Sequence, residues 1–274
     1  MYVAAGNAYA TVLGGQYYYM NGMPASLGTA QSVYQNGWSV CAACLTMTQL
    51  AASVPTTLTS SGGVIYGAKT EAKISVSQSS FSGNKAVSGA VISLTSSVAF
   101  INVTGSVNSG QNASSGGFAA AVNSTTRISM LGCTVTGNTA TTTGAVLSDM
   151  GGASSVTIQG GTYRNNKVAN SNPLVPSYGG VAFFDNTKAQ LTVAGAQFAG
   201  NSAGGGEGYG GVAYFLGGSA SVLVSSSNFT SNSAGWAGDG YGGVMHLQGG
   251  AYGVSISGST FRGNRCVFVC VNSC

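Results

Sequence analysis

The chain has 274 residues, 44% of them hydrophobic and only 5% charged, with nine Lys and Arg against five Asp and Glu, and 44 glycines. So much apolar sequence with so little charge excludes a disordered chain, which stays solvated through the opposite balance. A net charge of +4 without a basic cluster or stripe argues against a nucleic-acid partner, and no apolar run approaches the roughly 18 residues that a membrane-spanning helix needs.

Residues 1–60 carry no clear repeat and are expected to form an irregular cap or partner-contact segment. The opening Met1-Tyr2-Val3-Ala4-Ala5-Gly6-Asn7 lacks the basic and apolar regions of a secretion signal, so a removed leader or a longer parent chain is expected. Cys41-Ala42-Ala43-Cys44 has the spacing of a redox or zinc half-site. The only histidine is His246, however, and no βαβ pattern surrounds the pair, so structural disulfides are the plainer reading for Cys41, Cys44, Cys266, Cys270 and Cys274. Disulfides imply an oxidising, extracellular compartment. The sequons at Asn102, Asn112, Asn123 and Asn228 agree with it. Glycans there would solubilise a surface far below the roughly 25% charge of ordinary domains.

From residue 61 to 274 the chain repeats itself. One word reads FSGN at 81–84, VTGN at 135–138, YRNN at 163–166, FAGN at 198–201, FTSN at 229–232 and FRGN at 261–264, with a degenerate copy around 107–112 ending at Asn112. Seven and five positions before each aromatic stand apolar pairs such as Ile74/Val76, Val156/Ile158 and Val222/Val224, flanked mostly by Ser and Thr. That alternation predicts a strand with one wet face. The odd step to the aromatic requires a corner that swings the ring inward. Stacked turns would then build one column from Phe81, Tyr163, Phe198, Phe229 and Phe261, and a hydrogen-bonded column from Asn84, Asn138, Asn166, Asn201, Asn232 and Asn264.

A unit of about 30 residues with short strands, small-residue corners and no helical stripe describes one coil of a solenoid. The expected fold is all-β, a right-handed parallel β-helix of about seven to nine coils. The alternation of F-x-x-N with G-G-A-[ILV] resembles the repeat of the polymorphic outer-membrane proteins, the chlamydial autotransporter adhesins, over roughly residues 60–264. The resemblance implies a β-helix in a surface setting and names no ligand. The chain departs from it with Val for Ala at Gly62-Gly63-Val64 and after the later glycine pairs, and it lacks the C-terminal barrel of those autotransporters.

A second word, YGGV, occurs at 178–181, 209–212 and 241–244, and the strand after it loses alternation: Val181-Ala182-Phe183-Phe184, Val212-Ala213-Tyr214-Phe215, Val244-Met245-His246-Leu247. A strand apolar on both faces is normally covered on both, so cover is expected from a partner subunit or from residues 1–60. Tyr178, Tyr209 and Tyr241 would stack at the edge of this sheet, below longer loops holding Trp236. With Phe183, Tyr214 and His246 they are the candidate surface for a partner or a glycan, although packing is the commoner use of such stripes. His246 carries no sign of catalysis.

The polysaccharide lyases and hydrolases built on β-helices need converging carboxylates. Here Asp149 and Asp185 fall one register apart, and Glu207 and Asp239 lie in glycine-rich loops. The function expected is therefore non-enzymatic and cofactor-free: a secreted subunit that assembles with copies of itself, head to tail or laterally, into a fibre or coat. The alternative is a cell-surface adhesin that binds glycans.

Overall fold

The computed structural model describes residues 2–16, 39–41, 44–53, 65–170, 172, 174–185, 188–204, 207–235, 239–265 and 270–271. Among them every regular element is a strand, and no helix is long and apolar enough to cross a membrane. The strands stack in parallel as a β-solenoid, and each turn runs through four of them.

A glycine-led strand opens the turn (Ile92–Thr95, Ala182–Asp185, Ala213–Leu216, Met245–Gln248). An alternating strand follows (Val98–Thr104, Lys188–Ala194, Ser219–Ser225, Ala251–Ser257); in Ile65–Ser77, Ala119–Leu131 and Leu147–Gln159 the two are continuous. A three-residue aromatic strand comes next, as in Gln197–Ala199 and Asn228–Thr230, and then a return strand, as in Lys85–Ser88 and Ser202–Gly204. The first three rungs belong to one 22-stranded sheet and the return strands to a 9-stranded one.

Register is kept throughout: Ile65, Ile92, Ala119, Leu147, Ala182, Ala213 and Met245 lie one above the next. These residues mark about six turns, fewer than the seven to nine expected, because seven copies of a word bound only six intervals. The last three turns are longer than the first three, and the surplus sits in one place. There the return strand is split into Lys167–Ala169 and Ser177–Tyr178, Ser202–Gly204 and Gly208–Tyr209, Ser233–Ala234 and Gly240–Tyr241, with the additional residues of each turn between the halves.

Within the first 60 residues, Tyr2–Gln16 continues the stack, pairing in parallel from Tyr2 with Tyr66 to Ala8 with Ala72 and then with Cys44–Ser53. Ser39–Cys41 pairs antiparallel with Tyr9–Thr11. These strands extend the edge of the sheet.

The alternating strands bury the predicted pairs, from Ile74/Val76 through Leu191/Val193 to Val222/Val224, inside the coil. The predicted corner is a residue with left-handed backbone just before each aromatic strand: Gln78, Gly105, Gly132, Gly160, Gly195, Ser226 and Gly258. It turns the ring inward. Tyr163, Phe198, Phe229 and Phe261 then stack with centroids 4.9 Å apart at each step, which is the spacing of neighbouring strands.

The asparagine column is continuous and buried. Asn201 shows its bonding: its Nδ2 donates to Tyr163 O and Asn232 Oδ1, both at 2.9 Å, and its Oδ1 accepts from Asn166 N and Nδ2 at 3.1 and 2.9 Å. Two positions differ from the sequence reading. Gln111, fully buried, takes the place read for Asn112, accepting from Asn84 N and donating its own N–H to Asn138 Oδ1, both at 2.9 Å. Gln111 stands in register with Asn84 and Asn138, three residues after Asn108 as Asn84 is after Phe81, and Asn112, one position on and paired with Lys85 and Thr139, opens the return strand with an exposed side chain. In the aromatic column, Asn108 lies between Phe81 and Val135.

Candidate functional site

Each YGGV word ends a return strand and starts a glycine-led one. The first glycine of the pair has left-handed φ in every word (64°, 66° and 64° at Gly179, Gly210 and Gly242), and a Cβ there would lie 2.0–2.1 Å from the carbonyl oxygen three residues on. Only glycine lets the chain fold back this tightly. The fold-back brings the tyrosine before the pair over the strand that follows it.

That strand's outward column runs Ser93, Ala120, Ser148, Phe183, Tyr214, His246, and all six are buried. The cover comes from within the turn, five residues upstream. Tyr178 lies 5.8 Å from Phe183 and 5.1 Å from Tyr214 by ring centroids; Tyr209 lies 5.7 Å from Tyr214 and 5.4 Å from His246; Tyr241 lies 5.9 Å from His246. In the earlier turns the covering column is Ser88, Ser115 and Thr143 over Ser93, Ala120 and Ser148, with the Thr143 and Ser148 hydroxyls 2.9 Å apart. Small residues face small ones and rings face rings, so the two columns grow together along the rod. The sequence reading looked for cover from residues 1–60 or a second chain because it treated the strand as one sheet with two faces. The corner supplies a third surface.

Tyr178, Tyr209 and Tyr241 are half-buried and in register, with centroids 5.4 and 4.9 Å apart and planes within 24° and 11° of parallel. Their faces lie against one another and their edges meet solvent. The Tyr209 hydroxyl donates to Glu207 Oε2 at 2.8 Å, and that of Tyr214 donates to Gln248 Oε1 at 2.7 Å. Burial raises the pKa of all three phenols Tyr178, Tyr209 and Tyr214, and at Tyr209 the hydrogen bond to Glu207 adds to it. Burial lowers that of His246, which stacks on Tyr214 at 5.4 Å with no hydrogen-bond partner for Nδ1.

The sequence-predicted acids do not converge. Asp149 is buried in the inner column between Ala121 and Phe184, where Thr126 Oγ1 donates to its Oδ2 at 2.5 Å, whereas Asp185 is exposed one register on. Among the described residues, no three of His, Cys, Asp and Glu come together as a metal site. The sequons Asn102, Asn112, Asn123 and Asn228 all present exposed asparagines. Trp236, Cys266 and Cys274 lie outside the described residues, and of Cys41, Cys44 and Cys270 only the backbone is placed.

Sequence reasoning missed two further ladders. Ser79 N donates to Ser106 Oγ, Ala196 N to Ser227 Oγ and Ser227 N to Ser259 Oγ, each 3.1–3.2 Å; Ser97 N donates to Ser124 Oγ at 3.1 Å. The signal was a small polar residue two positions before most of the aromatics. Cys133 occupies that place in its own turn as a buried free thiol donating to Val103 O.

The fold and site define a β-solenoid with a self-covered aromatic flank. Compared with known proteins, the chain matches no family model, no curated protein and no solved structure.

Proposed function

We propose that the chain is a non-enzymatic, extracellular structural rod that assembles end to end into a fibre or coat, glycosylated and held by disulfides, and related in repeat design to the polymorphic outer-membrane proteins. The observation that carries this reading is the last described turn. Val254, Ile256 and Phe261 are 37%, 43% and 37% exposed, although they continue columns whose preceding members, Val222, Val224 and Phe229, are each 1% exposed. Among the described residues, strands Ala251–Ser257 and Thr260–Arg262 pair on one side only, whereas Met245–Gln248 of the same turn also pairs with Cys270–Val271. An apolar layer with an unpaired edge templates another layer of the same kind, and an open head-to-tail contact propagates as a filament.

Lateral assembly through the glycine-led sheet is the weaker route, because that face is covered by its own tyrosines. Glycan binding is weaker for the same reason: a sugar stacks on the open face of a ring, and these faces are closed against each other. The opposed directions of Asp149 and Asp185 support a non-catalytic reading.

The test is sedimentation and negative-stain microscopy across a concentration series. Wild type should form polymers that Ile256→Asp abolishes while the strand signal in circular dichroism is retained. A wild type that stays monomeric at high concentration, or polymers indifferent to Ile256→Asp, would overturn the reading.

A further inference from the structure

Tyr209 is the centre of an aromatic cluster: its ring lies 5.4 Å from Tyr178, 5.7 Å from Tyr214, 4.9 Å from Tyr241 and 5.4 Å from His246. Its hydroxyl already donates to a carboxylate on an exposed residue, Glu207. Stacked, electron-rich rings share a positive hole. A hydrogen-bonded carboxylate takes the phenolic proton as the electron leaves, which avoids the unstable protonated radical. Packing alone explains the stack but does not call for that base.

We propose that this ladder is an oxidative cross-linking site, at which a one-electron oxidant charged by hydrogen peroxide, such as a haem peroxidase, turns Tyr209 and its stacked neighbours into phenoxyl radicals that couple to the same ladder on a second copy of the chain. Each tyrosine loses one electron to the oxidant and one proton, which from Tyr209 passes to Glu207. Two radicals then form a carbon–carbon bond between ring positions ortho to their oxygens. The two hydrogens at those carbons move to the oxygens and restore two phenols. Two tyrosines thus yield one biphenol, and the two electrons and two protons released reduce one hydrogen peroxide to two waters.

Geometry decides where the bond forms. A biphenyl bond lies in the plane of the rings it joins, whereas Tyr178, Tyr209 and Tyr241 are stacked face to face within 24° and 11° of parallel. Neighbours in one ladder are therefore wrongly placed to couple with each other. Their solvent-facing edges are free to meet those of another rod. Because burial and Glu207 hold the phenol of Tyr209 protonated, oxidation proceeds by joint loss of electron and proton. The site needs only collision between two rods and does not depend on end-on stacking.

The experiment treats the full chain, at a concentration where sedimentation shows monomer, with hydrogen peroxide and a haem peroxidase. Products are read as biphenol fluorescence, as covalent dimers on reducing denaturing gels and as linked peptides by mass spectrometry. The expected result is dimers linked through Tyr178, Tyr209 or Tyr241, loss of most of the dimer when all three are changed to Phe, and a slower initial rate in Glu207→Gln. The Phe variants keep the stacked rings, and a cooperative melting curve with only the small shift expected for the lost Glu207 bond certifies their fold. Links carried mainly by the chain's other tyrosines, undiminished dimer in the triple variant, or a Glu207→Gln rate equal to wild type would overturn the proposal.

Discussion

Replacing Asn201 by Ala removes four hydrogen bonds from the middle of the polar column, and their consequences can be separated. The Asn166 backbone N–H loses its side-chain acceptor, and the Tyr163 carbonyl loses a donor. Asn166 Nδ2 keeps its bond to Val135 O and loses the second, while Asn232 Oδ1 keeps the Asn201 N–H. The site is fully buried, so water is not at hand to replace them. With about 1–3 kcal/mol for each buried group left unsatisfied, two full losses and two partial ones give roughly 3–6 kcal/mol. That is a large share of the ~5–15 kcal/mol that holds a typical domain. Asn264, 7% exposed, makes three side-chain bonds where Asn201 makes four, so Asn264→Ala should cost less. Urea unfolding followed by circular dichroism, with both variants and Asn201→Gln measured against wild type, provides the comparison. Gln111 shows that a Gln can serve in the column, so Asn201→Gln should fall between. A loss for Asn201→Ala within the roughly 0.5 kcal/mol of an ordinary surface substitution, or equal losses at 201 and 264, would refute the view that the ladder is a main source of cohesion.

Three further outcomes follow from single observations. Asn108 is 3% exposed in the aromatic column with neither side-chain amide atom bonded, so Asn108→Leu should stabilise by about 1–3 kcal/mol, seen as a raised thermal midpoint. Folding lowers the His246 pKa below its ordinary value of about 6.5. The unfolded chain then binds the proton more readily, and stability present at neutral pH should decline as pH falls below about 6.5; the wild-type decline, measured as midpoint against pH, should exceed that of His246→Phe. Tyr209→Ala uncovers Tyr214 and His246 and, for a half-buried ring, should cost about 2–3 kcal/mol, whereas Tyr209→Phe retains the stack and should cost at most about 1 kcal/mol for the exposed Glu207 bond, both read by denaturant midpoint.

The rod itself was legible in the sequence because its rule is one-dimensional: positions one turn apart share an environment, so Phe198, Phe229 and Phe261 announced their column by recurring. The same logic failed where the word decayed. Asn112 has the expected letter, but Gln111 has the register, three residues after Asn108, and register decides which amide enters the column. Cover for Phe183, Tyr214 and His246 was invisible to strand periodicity, since it depends on a five-residue step across a glycine corner. The matching of Thr143 with Ser148, and of Tyr178 with Phe183, was the available clue. The number of turns was overstated by counting words as coils.

The split return strands also make this a modular scaffold. Turns with loops of different size at the same seam, one tipped by Leu174 at 88% exposure, keep identical winding on either side, so the seam tolerates grafts that leave the layers undisturbed. A rod built this way can vary what it displays at regular heights while its interior stays the same.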